Sequence, residues 1–141
     1  PKRIVIGSDH AGFDYKEAIQ MYLKKNQIEC VDVGTNSLES CDYPDYAHAV
    51  AEAIENETVE FGILLCGSAN GVAIAANKHQ KIRAALCWMN EIASLARQHN
   101  NANIICLPAR YITIDEAEEM VHTFLTTDFE GGRHQKRVEK I

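Results

Sequence analysis

The apolar run Phe61–Leu65 delivers a cysteine, Cys66, into the small-residue stretch "CGSANG" (66–71). A thiol placed where a strand hands over to a helix sits beside backbone N–H groups that have no partner within the helix. Such donors favour negative charge, so they stabilise a thiolate and can also hold an oxyanion. Cys66 is therefore a candidate base or nucleophile, and Gly67, Ser68, Ala69, Asn70 and Gly71 form a candidate anion loop. The same spacing also suits a small buried hydrophobe that ends a core strand, because free cysteine is among the most buried residue types.

Other groups with usable chemistry are scattered along the chain. Asp9 and His10 follow the first apolar run in a "SDHAG" turn, and Arg110 ends "LPAR" after the last. His99, in "RQHNNAN", closes a helical pattern that begins near Asn90, where an imidazole also makes a favourable contact with the helix dipole. Arg133 and Arg137 are spaced i, i+4 in a tail rich in basic groups. On a helix they share one face suited to a phosphate, although basic runs of this kind also serve as plain solvated surface. Asp9, His10, Cys66 and His99 lack metal-ligand spacing, so no metal site is expected. Gly7 and Gly12 have P-loop separation, but Phe13 and Asp14 stand where Lys and Ser/Thr belong, which argues against a nucleotide.

Positioning these groups requires a scaffold, and the hydropathy pattern supplies one. Apolar, β-branched runs at 3–8, 28–33, 61–65, 82–87 and 103–107 read as strands. The third is apolar throughout, as in a strand covered on both faces. Helical patterns lie between them. Residues 13–26 carry a stripe of Ala18, Ile19, Tyr22 and Leu23; residues 44–54 start on Pro44; Thr113 and Glu116 form a capping box; and "EGGRHQKRVEKI" reads as a separate short helix. Strand and helix alternate five times. The expected fold is α/β: a single doubly wound domain over 1–141, with a five-stranded parallel, Rossmann-like sheet, helices on both faces and a C-terminal helical tail. In such folds the ligand crevice lies at the carboxyl ends of the strands, where Asp9, His10, Cys66 and Arg110 would gather.

Composition narrows the function. A chain of 141 residues can bury roughly 70% of its unfolded surface without staples. Five cysteines without C-x-x-C pairs suggest free thiols in a reducing cytoplasm. The net charge of −6 opposes nucleic acid and anionic lipid, and no apolar run approaches a membrane span.

Seven segments in order give the chain a resemblance to the type B ribose-5-phosphate isomerase family, which includes the galactose-6-phosphate isomerase subunits. They are "GSDHAG" (7–12), "DYPDYA" (42–47), "GILLCGSANG" (62–71), "IAANK" (74–78), "IRAALC" (82–87), "RQHNNAN" (97–103) and "EGGRHQKRV" (130–138). The resemblance implies an aldose–ketose isomerase of the pentose phosphate pathway that works through an enediolate without metal or other cofactor. It implies Cys66 as the base, the amides of 67–71 with Ser68 as the anion hole, and His99 as the ring-opening group. Asp9, Tyr43 and Asn100 would position hydroxyls, and His10, Arg110, Arg133 and Arg137 would bind phosphate. Some of these groups would come from a second subunit of a homodimer or dimer of dimers. The alternatives are a six-carbon substrate, allose or galactose 6-phosphate, and a sugar-phosphate-binding protein without turnover. The chain departs from the family pattern at Ser68 and Ala69, where threonine and glycine are common, at Val72, at "WMNEIA" (88–93) and at Pro108. A positive φ at Ala69 would cost about 1 kcal/mol.

Overall fold

The computed structural model describes residues 3–141. Five strands, β1 (Ile4–Ser8), β2 (Cys30–Asp32), β3 (Phe61–Cys66), β4 (Ala84–Leu86) and β5 (Ile104–Pro108), form one sheet in the order β2-β1-β3-β5-β4. Every pairing is parallel. Six α-helices accompany them: α1 (Phe13–Lys25), α2 (Tyr43–Glu55), α3 (Asn70–Ala76), α4 (Asn90–Asn100), α5 (Ile114–Thr126) and α6 (Arg133–Val138), with a 3-10 turn at His10–Gly12. The expected doubly wound sheet and short terminal helix are present.

Alternation along the buried strands divides the core in two. Ile4, Ile6, Ile63, Leu65, Ile105 and Leu107 pack under α1, α4 and α5, together with Ile19, Leu23, Ala93, Met120 and Phe124. Val5, Leu64, Cys66, Ile104 and Cys106 face α2 and α3, against Val50, Ala51, Val72 and Ala76. All six residues of β3 are buried, in keeping with its uninterrupted apolar run. Thr113 accepts from the Glu116 N–H (3.1 Å) and Glu116 accepts from the Thr113 N–H (2.8 Å), so the capping box opens α5 as its sequence indicates.

Differences from the expected boundaries fall at the edges. β2 and β4 are three residues long rather than six, because each has a neighbour on one side only and no partner to extend its ladder. α3 begins at Asn70, so Asn70 and Gly71 belong to its first turn rather than to the loop. In α1, Ile19 and Leu23 are fully buried but Ala18 and Tyr22 only half so. The buried face also holds Lys16, whose ammonium pairs with Asp32 (2.7 Å) and Glu17 (3.0 Å). A buried ammonium is tolerable only with such partners.

Candidate functional site

The chains that leave β1 and β3 at their carboxyl ends part in opposite directions, and this switch point opens a cavity of ≈ 420 Å³. Its lining is Asp9, His10, Ala11, Tyr43, Cys66, Gly67, Ser68, Gly71, Arg110 and Tyr111. The volume falls in the range of small-ligand sites. Eight of these ten residues are named in the sequence reading, whereas Ala11 and Tyr111 are not. Tyr111 follows Arg110 in the loop after β5, and its place at a strand's carboxyl end was the available signal.

Cys66 ends β3 with only 5% of its surface exposed. Burial pushes its thiol pKa up, and the Asp9 carboxylate adds to that. The backbone N–H groups of Val72, Ala69 and Ser68 pull it down, and the net result is upward. These local donors matter more than a helix dipole, since α3 is only seven residues long. Ala69 adopts the left-handed conformation (φ 64°, ψ 0°) that favours glycine. Its N–H nevertheless acts to lower the thiol pKa. Ser68 Oγ accepts from the Asn70 N–H (3.3 Å) and Nδ2 (3.2 Å), which leaves its own proton to donate outward.

The other walls are equally determined. Asp9 Oδ1 accepts from the Gly12 N–H (3.1 Å), which caps the 3-10 turn and holds the carboxylate at the cavity. The Cys41 N–H donates to His10 Nδ1 (3.2 Å), so the ring proton sits on Nε2. Glycine permits two close approaches. A Cβ at Gly67 would stand 3.1 Å from the Arg110 guanidinium, and one at Gly71 would stand 2.4 Å from the Tyr43 ring.

Four expected site residues lie elsewhere in the chain's own fold. His99 and Asn100 end α4, four residues before β5 begins. Because all strands are parallel, that end is the amino-terminal edge of the sheet, roughly one strand length (about 15 Å) from Cys66. Arg133 and Arg137 are exposed on α6, which packs against α4. Local interactions hold this second cluster firmly. Arg97 donates to Thr127 O (3.1 Å), Asn101 Oδ1 (2.9 Å) and Ala102 O (2.6 Å), with its guanidinium over the Phe61 ring. Arg83 Nε donates to the Asn100 and Asn101 carbonyls (3.2 and 2.9 Å). The His99 ring stacks on His134 at 4.1 Å, and Glu130 lies beside both.

The first group can remove and return a proton next to an oxygen that Ser68 and the loop amides stabilise, with the Arg110 guanidinium and the His10 Nε2–H available to an anionic substituent. The second offers the His99 imidazole and the exposed guanidinium groups of Arg133 and Arg137.

A family profile described as Ribose/Galactose Isomerase matches residues 4–141. The fold is similar to that of a ribose 5-phosphate isomerase from Thermotoga maritima, with a TM-score of 0.97 and 52% identity over 99% of this chain and 96% of that one. It is also similar to ribose-5-phosphate isomerase B from Mycoplasma genitalium, solved with bound ribulose-5-phosphate, at a TM-score of 0.94 and 45% identity over 98% and 92% of the two chains. Ribose-5-phosphate isomerase B of Escherichia coli is 44% identical over 140 residues, covering 99% of this chain and 94% of that protein.

Proposed function

Because the chain belongs to the ribose/galactose isomerase family, we propose that it interconverts ribose 5-phosphate and ribulose 5-phosphate in this cavity, with Cys66 as the base. The observation that carries this reading is a nearly buried thiol lining the cavity beside Asp9, Ser68 and Tyr43, where the backbone N–H groups of Val72, Ala69 and Ser68 favour its thiolate. The relatives named for this activity, one of them solved with ribulose-5-phosphate, support the substrate.

In the forward direction Cys66 takes the proton from C2 of the opened aldose, and the electron pair moves toward O1 to form the enediolate. Returning the proton to C1 while the O2 proton passes to O1 completes the ketose. Ser68 Oγ and those amides of 67–71 that serve neither Cys66 nor Ser68 stabilise charge on these oxygens, a contribution that matters as much as the base. Asp9 and Tyr43 position hydroxyls, and His10 and Arg110 hold phosphate, whose remote binding energy orients the reacting carbons. His99 opens the furanose ring, Asn100 positions a hydroxyl, and Arg133 and Arg137 complete the phosphate clamp.

These last four act from a second copy of the chain, in a homodimer or a dimer of dimers. Their location at the opposite edge of the sheet supports this assembly, since one copy cannot bring them to its own Cys66. The domain 1–141 works in the cytoplasm, where its five free thiols remain reduced. Among the described residues no helix is long and apolar enough to cross a membrane.

Turnover of ribose 5-phosphate by the wild-type protein and by Cys66→Ala tests the reading. Activity that falls about 10²-fold or more in the variant is expected, the usual contribution of a positioned acid–base group. Equal activity in both would remove Cys66 from the mechanism. Comparing kcat/KM for ribose 5-phosphate with that for allose and galactose 6-phosphates decides the sugar length, because a mis-seated chain displaces the reacting carbons.

A further inference from the structure

Near the end of α4 the tail folds back so that the Glu130 N–H donates to Gln98 O (3.1 Å). This anchor sets Glu130 between two imidazoles: its Oε1 lies 3.8 Å from His99 Nε2 and 3.5 Å from His134 Nε2. One ligand atom from each of the three side chains falls within 4.8 Å of the others. Both N···O separations are too long for hydrogen bonds. They are close to the spacing of two ligands on one tetrahedral zinc ion, roughly 3.4 Å for bonds of about 2.0–2.1 Å.

We propose that His99, Glu130 and His134 form an inhibitory site for a divalent transition-metal ion, with zinc the fitting chemistry. Two imidazoles and one carboxylate select zinc, copper or nickel over the oxygen-preferring magnesium and calcium.

Binding calls for one local movement. The two rings now stack at 4.1 Å with 13° between their planes, so their lone pairs run side by side instead of converging. His134 is held with a side chain only 10% exposed, whereas His99 at 36% and Glu130 at 51% are free to turn toward the ion. A metal there occupies the His99 nitrogen, so ring opening stops. That consequence rests on the role proposed for His99; binding does not.

Zinc titration calorimetry tests the site on protein with Cys30 and Cys41 changed to serine and Cys66 to alanine, which removes the accessible thiols. One zinc per chain is expected, with affinity at least about tenfold weaker in Glu130→Gln and in His134→Ala. With the thiols intact, zinc chloride inhibits isomerase turnover and EDTA restores it. Glu130→Gln keeps the metal-free rate and needs at least about tenfold more zinc for the same inhibition. Glu130 is exposed, so this variant folds even where loss of the covered His134 ring does not. Zinc binding that disappears with the thiols, or that neither substitution weakens, would overturn the proposal. Zinc bound at these residues in a protein without isomerase activity would leave the site standing and remove the functional reading instead.

Discussion

Replacing Gly71 with alanine separates the geometry of the site from the stability of the fold. A Cβ at position 71 would meet Tyr43 ring carbons at 2.4, 2.5 and 2.9 Å. Carbon atoms rest at about 3.5–4.0 Å, so the ring must retreat by about 1 Å. Tyr43 is 41% exposed at the start of α2, and the retreat into solvent is open to it. Alanine for glycine within a helix returns about 0.5–1 kcal/mol. The unfolding free energy of Gly71→Ala should therefore stay within about 1 kcal/mol of wild type in urea denaturation. Catalysis should suffer more: a displacement of about 1 Å of a positioning group can cost 10²-fold, so a fall in kcat/KM of roughly 10- to 100-fold is expected. If the retreat of Tyr43 is the cause, Gly71→Ala adds little in a Tyr43→Ala background. Wild-type kcat/KM in Gly71→Ala, or losses that multiply in the double variant, would refute the role assigned to Tyr43.

Two further expectations concern the thiol and the second cluster. Burial and Asp9 hold the Cys66 pKa above its ordinary value, so the thiolate fraction rises with pH and kcat/KM should climb on the alkaline side. Asp9→Asn removes one raising influence and should move both that profile and the site-resolved iodoacetamide reactivity of Cys66 to lower pH; a shift to higher pH would contradict the assignment. Arg97→Met strips charged hydrogen bonds from Thr127, Asn101 and Ala102. It should cost about 2–4 kcal/mol in urea denaturation, and a loss below about 1 kcal/mol would mean the clamp is dispensable.

Much of this architecture is legible in the sequence. The five apolar runs become strands, of which β1, β3 and β5 are buried along their whole length, and the polar residues just beyond these three, together with Cys66 at the end of β3, consequently meet at one edge as Asp9, His10, Cys66 and Arg110. Less visible is whatever depends on partners distant in the chain. The shortness of β2 and β4 follows from their edge positions, which local pattern does not encode. Lys16 looks like a surface lysine until Asp32 is placed beside it. The hydrogen-bonded chain from His48 through His79 to Glu55, at 2.7 Å each, exists only because α2 packs on α3. Arg97 acquires its role from Thr127, thirty residues on. His99 shows the limit most sharply, because a helix-end histidine carries no record of which edge of the sheet it will occupy.

Mixing two inactive proteins tests the central claim, that one copy's Cys66 works with another copy's His99. Cys66→Ala and His99→Ala are each prepared, mixed at equal concentration and allowed to exchange subunits. A shared site predicts that half of the sites in each mixed dimer are intact. Random reassortment would then restore isomerase activity to about a quarter of the wild-type level. Reassorted mixtures that stay as inactive as the separate variants would contradict it.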